Sequence, residues 1–155
     1  MAFGAPSVKG RALRYLAQRE HSRAELERKL ARHVQDNEQA DARSQINQAL
    51  DQLVAAGLLS EARAAQSVLA SQGQRFGARR LKHVLQSKGL EPELVSATLQ
   101  QARSTELERA REVWRRRFGT TPADAAERAK QMRFLAGRGF DGDVIRRVVQ
   151  GPEDD

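Results

Sequence analysis

The sequence LAGRGFDGDVI at residues 135–145 repeats the pattern of LQSKGLEPELV at residues 85–95. Both stretches place a basic residue, a glycine and a large apolar residue in succession, and both continue with a carboxylate followed by two apolar residues. A glycine in this position commonly ends a helix in the left-handed conformation, and the apolar residue after it packs back against that helix. The repeated stretch therefore predicts that Gly89 and Gly139 end equivalent helices with positive φ angles.

Helical periodicity extends over nearly the whole chain. Apolar residues recur at helical spacing, and no stretch shows the sustained alternation that is typical of a strand. We predict nine helices in three groups, which gives an all-α fold of three tandem three-helix, helix-turn-helix-like repeats in an elongated arrangement. The predicted repeats cover residues 8–57, 60–102 and 104–150, and residues 1–7 and 151–155 are expected to fray.

Capping residues predict where several helices begin. Ser22 with Glu25 and Thr105 with Glu108 have the spacing of capping boxes, in which each side chain bonds the other residue's backbone N–H. Two further helices are expected to begin at Thr121 with Pro122 and at Asp141.

The apolar spacing also predicts which side chains are buried. In the first helix, Leu13 and Leu16 are expected to face the core. On the seventh helix, Trp114 is expected to be a core residue, although the arginines that follow it leave contact with a partner open. His21 and His33 are expected to lie at the surface or in helix caps.

The composition excludes several kinds of chemistry. The 155 residues include no cysteine, and the three histidines do not have the spacing of metal ligands. No nucleophile has a base at a suggestive spacing, and no glycine-rich phosphate loop is present. We therefore expect neither an enzyme nor a protein that holds a cofactor or a metal. Because the sequence has neither a long apolar run nor a signal peptide, a cytoplasmic protein without membrane contact is expected.

The charge of the chain is strongly basic and uneven. Lys and Arg number 27 against 20 Asp and Glu, for a net charge of +7. Residues 1–74 carry 10 basic and 8 acidic side chains, whereas residues 75–155 carry 17 and 12. This excess suits a polyanion or an acidic protein groove as a partner, and a solvated helical surface of mixed charge is the alternative.

Three-helix modules also occur in proteins that read DNA sequence, so this function is the second hypothesis. The ninth helix offers Arg146 and Arg147 but no Asn or Gln near its start, and the sixth helix begins with EPELVS, which is poor in base-reading side chains. The sequence therefore disfavours a sequence-specific reader.

Four separated segments together resemble the RecX family, bacterial regulators of the RecA recombinase. They are RALRYLAQREHSRAELERKL (11–30), AAGLLSEAR (55–63), GARRLKHVLQSKGL (77–90) and RAKQMRFLAGRGFDGDVIRRVV (128–149). The resemblance implies three tandem three-helix repeats and a role in homologous recombination, DNA repair and the SOS response. It implies that the protein, expected to be a monomer, binds along the RecA filament on DNA and restrains ATP hydrolysis, strand exchange and co-protease activity. Direct contact with single- or double-stranded DNA is the alternative.

The chain departs from the family pattern at two places. Ala64 and Ala65 stand where similar sequences tend to have Phe followed by Ala, so a bulky anchor between the first and second groups is missing. A longer, acidic loop at residues 35–41 replaces the usual tight glycine turn. Both departures put the packing around the first repeat in question.

Basic residues of the second and third groups are the predicted partner-binding residues. Arg79, Arg80 and Lys82 are the best candidates, because cations near a helix N-terminus oppose the helix dipole and stability does not explain them. Arg115, Arg116 and Arg117 cannot all point inward, so some of them must be exposed. The remaining candidates are Lys88, Arg128, Lys130, Arg133, Arg138, Arg146 and Arg147.

Overall fold

The computed structural model describes residues 4–152, and this part of the chain folds into nine α-helices without a strand. The helices are α1 (Val8–Gln18), α2 (Arg23–Ala31), α3 (Ala42–Ala55), α4 (Glu61–Gln72), α5 (Ala78–Ser87), α6 (Pro92–Ser104), α7 (Glu106–Arg117), α8 (Ala125–Gly137) and α9 (Gly142–Gln150). The predicted all-α fold is confirmed. Of the residues expected to fray, 1–3 and 153–155 lie outside the described part of the chain.

The chain forms two compact units. The first unit contains the described residues up to Ala64 together with Lys88–Leu90, and the second contains Ala65–Ser87 and the described residues from Glu91 onwards. The short segment Lys88–Leu90, which includes the first of the two repeated glycines, thus packs with the first unit. The division into three repeats with the boundaries given above stays a prediction.

The core of the first unit is built from α1, α2 and α3. Its buried residues are Ala12, Leu26, Leu30, Ile46, Leu50, Leu53 and Leu59. The buried face of α1 is centred on Ala12, and Leu16 packs against the cluster as expected. The expectation for Leu13 was wrong: its side chain is 37% exposed, because it lies beside this face and not on it.

His21 is fully buried in the first unit, which corrects the expectation of a surface or cap position. Its Nδ1 lies 3.0 Å from the Arg19 carbonyl oxygen, and its Nε2 lies 2.8 Å from the Lys29 ammonium. Since a carbonyl only accepts and an ammonium only donates, Nδ1 carries the proton and Nε2 accepts from Lys29. Burial lowers the pKa of His21 below its usual value, so the ring is neutral at neutral pH. His33 is exposed.

The second unit has a core contributed by α7, α8 and α9. Its buried residues are Ala110, Leu135, Phe140, Ile145, Val148 and Val149. Trp114 packs against this cluster and is only partly buried, and its indole N–H donates to the buried Gln131 side chain at 2.8 Å. Trp114 therefore lies at the edge of the core, and the expectation of a core position is only partly met.

The repeated glycines end helices as predicted, with φ of 69° at Gly89 and 87° at Gly139. At Gly139 the backbone N–H donates to the Ala136 carbonyl at 3.0 Å, and the Phe140 N–H donates to the Leu135 carbonyl at 3.3 Å. These are the two hydrogen bonds of a Schellman cap. Phe140 and Leu90, the apolar residues that follow the glycines, are both buried.

Each glycine turn packs against the first turn of another helix. In the first unit the Lys88 carbonyl accepts from the Ser22 hydroxyl at 2.5 Å, and a Cβ atom on Gly89 would lie 2.7 Å from the Ala24 Cβ.

In the second unit the Arg138 carbonyl accepts from the Gly77 N–H at 2.9 Å, and the Gly139 carbonyl accepts from the Arg79 N–H at 3.1 Å. A Cβ atom on Gly139 would lie 2.6 Å from the Arg80 Cβ. The same turn thus makes the same kind of contact with the start of α2 and with the start of α5.

The predicted helix starts are partly confirmed. The capping box of Ser22 with Glu25 is present in full. The box at Thr105 was wrong: this residue makes no capping bond, because α6 continues almost directly into α7 and the Thr105 hydroxyl donates back to the Ala102 carbonyl.

Of the two later helix starts, the eighth differs from the prediction and the ninth agrees with it in position. The eighth helix begins after Asp124 and not at Thr121 with Pro122, and the Asp124 carboxylate accepts from the Glu127 N–H at 2.8 Å. Asp141 is the N-cap residue of α9, but its side chain pairs with Arg79 instead of capping the helix.

The two departures from the family pattern are accommodated locally. Ala64 and Ala65 are 3% and 0% exposed, so small side chains fill the space at this position. In the loop at residues 35–41, the Asn37 side chain accepts from the N–H groups of Gln39 and Ala40, both at 2.9 Å, and Asp36 accepts from the Ala42 N–H at 2.7 Å. The lengthened loop therefore has a defined hydrogen-bonded conformation.

Candidate partner-binding surface

A buried carboxylate holds the start of α5 in place. Glu106 is 2% exposed and accepts from the N–H of Ala78 at 3.1 Å and from the N–H of Asp141 at 3.3 Å. Both N–H groups belong to helix N-termini, which favour a negative charge. Glu106 therefore supplies the charge that the dipole of α5 requires, and the cations in the first turn of this helix are free to face outward.

Arg79, Arg80 and Lys82 are all exposed on α5, but they have different surroundings. Arg79 pairs with Asp141 at 3.1 Å, and 73% of its side chain is exposed. The Arg80 guanidinium lies over the Phe76 ring, 4.0 Å from its centroid. Lys82 forms no ion pair with any residue between 4 and 152.

Arginines and phenylalanines form one cluster in the second unit. We call it the arginine–aromatic cluster, and its members are Arg75, Arg80, Arg117, Arg138, Phe76, Phe118 and Phe134. The Arg138 guanidinium lies 5.2 Å from the centroid of Phe134 and 5.6 Å from that of Phe76. Arg117 lies 5.5 Å from the centroid of Phe134. These distances are typical of cation–π contacts.

A cavity of about 740 Å³ adjoins this cluster. Its lining residues are Gln74, Arg75, Arg109, Glu112, Val113, Arg116, Arg117, Phe134 and Arg138. Five of the nine are arginines and one is a carboxylate, so the cavity is strongly cationic.

Arg109 lies at one wall of the cavity and has a structural role. Its guanidinium donates to the backbone carbonyls of Gly73, Phe76 at 2.7 Å and Ala102 at 2.7 Å. Burial lowers the pKa of Arg109, an effect that the charge of Glu106 opposes, and an arginine remains protonated under such conditions. The side chain thus fixes the turn between α4 and α5 against α7.

Several predicted residues form ion pairs with neighbours on their own helix. Arg115 and Arg116 share Glu112, at 2.8 and 3.0 Å, and Arg146 pairs with Asp143. All three arginines are more than half exposed. Pairs of this kind are weak in water, so these side chains remain accessible to a competing anion.

The remaining predicted residues fall into different environments. Arg128, Lys130 and Arg133 on α8 are exposed and form no ion pair within the described residues, and Arg147 is exposed on α9. Lys88 is different, because only 17% of its side chain is exposed and it pairs with the buried Glu25 at 3.1 Å in the first unit. The structure therefore places Lys88 in an internal contact of the first unit.

We call Lys82, Arg128, Lys130 and Arg133 the uncompensated cations, since these exposed predicted residues of the second unit have neither an ionic partner nor a cation–π contact in the part of the chain that the structure describes. Their assignment to a partner, like that of the other predicted site residues, stays a prediction.

We did not predict that Arg75, Phe76 and Phe134 belong to the same site. A signal was present in QRFGARR at residues 74–80, where a phenylalanine between arginines precedes a glycine. Phe134 could not be linked to it from the sequence, because the turn after α8 meets the start of α5 only in the folded unit.

Two kinds of site are not found in the described residues. No three His, Asp or Glu side chains among residues 4–152 come together in a way that could hold a metal ion. In the same part of the chain, every helix is too short or too polar to cross a lipid bilayer.

Two models of RecX domains match the chain. The model for the first three-helix domain of RecX matches residues 9–42, and the model for the third three-helix domain matches residues 104–149. These regions contain α2 with its capping box, α7, α8 and all but the last residue of α9.

Full-length relatives agree with these matches. A regulatory protein RecX from Leptothrix cholodnii is 54% identical over 144 residues, which cover 93% of this chain and 88% of the relative. A regulatory protein RecX from Ralstonia nicotianae is 44% identical over 147 residues, covering 95% of this chain and 89% of the relative. The crystal structure of RecX from Lactobacillus salivarius superimposes with a TM-score of 0.73 over 92% of each chain at 20% identity, which is a likeness of fold.

Proposed function

Since the chain belongs to the RecX family and is similar to regulatory proteins, we propose that it regulates a RecA recombinase by binding along the RecA–DNA filament. In this role it restrains the ATP hydrolysis, strand exchange and co-protease activity of the filament. We further propose that it acts as a cytoplasmic monomer.

The observation that carries the proposal is the set of uncompensated cations on the second unit. Exposed like charges without ionic partners repel one another and add nothing to the stability of the fold. They are therefore best explained by an anionic surface outside the molecule, such as DNA phosphates or acidic protein side chains. Many weak contacts of this kind add through effective concentration, so binding should depend steeply on salt and on filament length.

The proposed regulator acts by binding and carries out no reaction of its own. The sequence has no cysteine. His21, the buried histidine, uses both ring nitrogens in contacts with Arg19 and Lys29. Such a ring is not available as a general base.

Direct binding to DNA is the second candidate function, and the exposed cations of α8 favour it as well. Affinity that comes from phosphate contacts decreases as the salt concentration rises and does not depend on the base sequence of the DNA. A mobility assay on single- and double-stranded DNA without RecA separates the candidates. Strong binding with a clear sequence preference would favour a DNA-reading protein over a filament regulator.

The direct test adds the purified chain to RecA filaments formed on single-stranded DNA and follows ATP hydrolysis. We expect the rate to fall as the chain is added, and the inhibition to weaken as salt is raised. A rate that stays constant at every ratio of chain to RecA would contradict the proposal.

A further inference from the structure

The arginines that line the cationic cavity of the second unit outnumber the carboxylates that could neutralise their charge. Glu112 is the one carboxylate in its lining, and it is already shared by Arg115 and Arg116. Arg117 and Arg138 have no carboxylate partner among residues 4–152. Grouped guanidinium charges without counter-charges are unfavourable for the isolated protein, so an anionic ligand would remove a repulsion as well as add contacts.

Aromatic rings hold two of these guanidinium groups in place. Arg117 and Arg138 lie over Phe134, and the Phe118 ring meets Phe134 edge-on with centroids 5.4 Å apart. A guanidinium that stacks on a ring keeps its N–H donors at the edge, where they can bind the two oxygens of a planar anion such as a carboxylate. Less side-chain entropy is then lost on binding than for a mobile arginine.

The cavity also has an apolar wall. Val113 and Phe134 line it beside the arginines, and both are only partly buried. A ligand that fills the cavity would therefore contact an apolar surface as well as the guanidinium groups. Its volume of about 740 Å³ is in the range of sites that hold a few side chains.

These features fit an acidic peptide better than a nucleic acid. Because two guanidinium groups already lie over the Phe134 ring, a nucleobase stacking there would compete with them. Aspartate or glutamate side chains next to an apolar side chain would instead use the guanidinium edges and the apolar wall together.

We propose that this cavity binds a short acidic segment of a partner protein, in which carboxylates flank an apolar side chain. The carboxylates bind the guanidinium edges of Arg117 and Arg138, and the apolar side chain lies against Val113 and Phe134. This inference rests on the proposed function, in which the partner is a protein, and it names the kind of protein segment that binds in the cavity.

The test measures peptide binding to the full chain by fluorescence anisotropy. The probe is a labelled peptide of Asp, Glu, Gly and Ser with one central Phe. Two matched peptides replace either the Phe with Ser or the acidic residues with Asn and Gln. We expect each replacement to weaken binding by about tenfold or more, since one loses the apolar contact and the other the charge-assisted hydrogen bonds.

Variants of the chain locate the binding site. Arg117→Glu should weaken binding of the Phe peptide by about tenfold or more, and Arg117→Lys by a smaller factor because charge is kept but planar geometry is lost. Arg14→Glu, which makes the same charge change at an exposed position of the first unit, should change binding by less than about threefold. Melting curves check that the variants remain folded.

Three results would overturn the proposal. The first is a Phe peptide that binds no better than its Ser or Asn/Gln counterparts. The second is equal weakening by Arg117→Glu and Arg14→Glu, which would indicate only general charge attraction. The third is Arg117-dependent binding of oligodeoxythymidine without peptide binding, which would assign the cavity to single-stranded nucleic acid. Because the assay contains neither RecA nor its filament, failure here is distinguishable from failure of inhibition in the ATP hydrolysis assay.

Discussion

Glu25 is a buried carboxylate with cations on two sides in the first unit. It accepts from the Arg19 guanidinium at 2.7 Å, from the Ser22 N–H at 3.0 Å and from the Lys88 ammonium at 3.1 Å. Burial by itself raises the pKa of Glu25, but these three partners outweigh it and lower the pKa to about 2. Glu25 thus belongs to the capping box of α2 and also forms an ion pair with Lys88 in the first repeated turn.

The pKa of Glu25 predicts how acid affects the first unit. Because the folded pKa of about 2 lies below the ordinary value of 4.5, the ionised carboxylate stabilises the fold above pH 4.5. This contribution, at most about 3 kcal/mol of the free energy of unfolding, is lost as the pH falls from 4.5 towards 2. Glu25→Gln should lower stability at pH 7 and flatten the pH dependence, as measured by urea unfolding at several pH values.

Glu27→Gln is the matched control for this prediction. Glu27 lies on the same helix and pairs with Arg23, but its side chain is 44% exposed. Exposed pairs contribute little, so this variant should keep the pH dependence of the unmodified chain. Equal pH profiles for the two variants would contradict the role given to Glu25.

Some residue positions could not be predicted from the sequence because they depend on distant contacts. His21 directly precedes an N-cap serine, a position that is exposed on many helices. Here Lys29 and the Tyr15 ring, 5.9 Å away between centroids, cover it. In contrast, the capping box of Ser22 and Glu25 was predictable, since both of its hydrogen bonds are local.

At the scale of elements, the repeated turn does more than end a helix. Its glycine backbone packs against the first turn of α2 in one case and of α5 in the other, at distances that leave no room for a side chain. The positive φ of the glycine and this close approach are separate requirements. Comparing a glycine that has only a positive φ with one that also has a close neighbour can separate the energy of backbone strain from the energy of steric overlap.

Gly89→Ala should be more destabilising than Gly57→Ala. Both glycines lie in the first unit and have positive φ, 69° and 73°, so both variants lose about 1 kcal/mol through backbone strain. Only at Gly89 would the new Cβ meet a neighbour, at 2.7 Å from the Ala24 Cβ, whereas the space at Gly57 is open. Overpacking should add about 1–3 kcal/mol, which chemical denaturation can measure.

An equal loss of stability in the two variants would contradict the claim that the close packing of the turn requires glycine at position 89. In that case, backbone strain alone would explain the need for glycine at this position.

The elements themselves were more predictable than their boundaries. Internal repetition identified Gly89 and Gly139 as helix ends, because glycine with a following apolar residue is a strong local signal. The capping box at Thr105 was wrong because its hydroxyl bonds backward to a carbonyl. Thr121 was misassigned as a helix start because it lies in a loop before a better cap, Asp124.

At the scale of the whole molecule, the basic excess separates into cations with different roles. Arg109 fixes a turn, Lys88 pairs with Glu25, and Arg79 pairs with Asp141. The composition predicted a basic surface but not this division, because an ion pair depends on which acidic residue lies nearby in space. The arginine–aromatic cluster was hidden for the same reason, since its members come from α5, α7, α8 and the three turns that precede α5, follow α7 and follow α8.

We propose that the uncompensated cations of the second unit bind the filament. The most direct measurement compares inhibition of RecA ATP hydrolysis by the unmodified chain and by a variant with Lys82→Glu, Arg128→Glu and Lys130→Glu. Because these side chains are exposed and unpaired, melting temperatures should change little. The concentration needed for half-inhibition should be about tenfold higher or more for the variant than for the unmodified chain, because each charge reversal replaces attraction by repulsion.

The matched control reverses three exposed cations of the first unit, Lys9→Glu, Arg14→Glu and Arg43→Glu, and therefore changes the net charge by the same amount. We expect this control to inhibit within about threefold of the unmodified chain, as only general attraction is lost. If the second-unit variant inhibits as well as the unmodified chain, or if the first-unit control loses inhibition equally, the assignment of the binding surface to the uncompensated cations is contradicted.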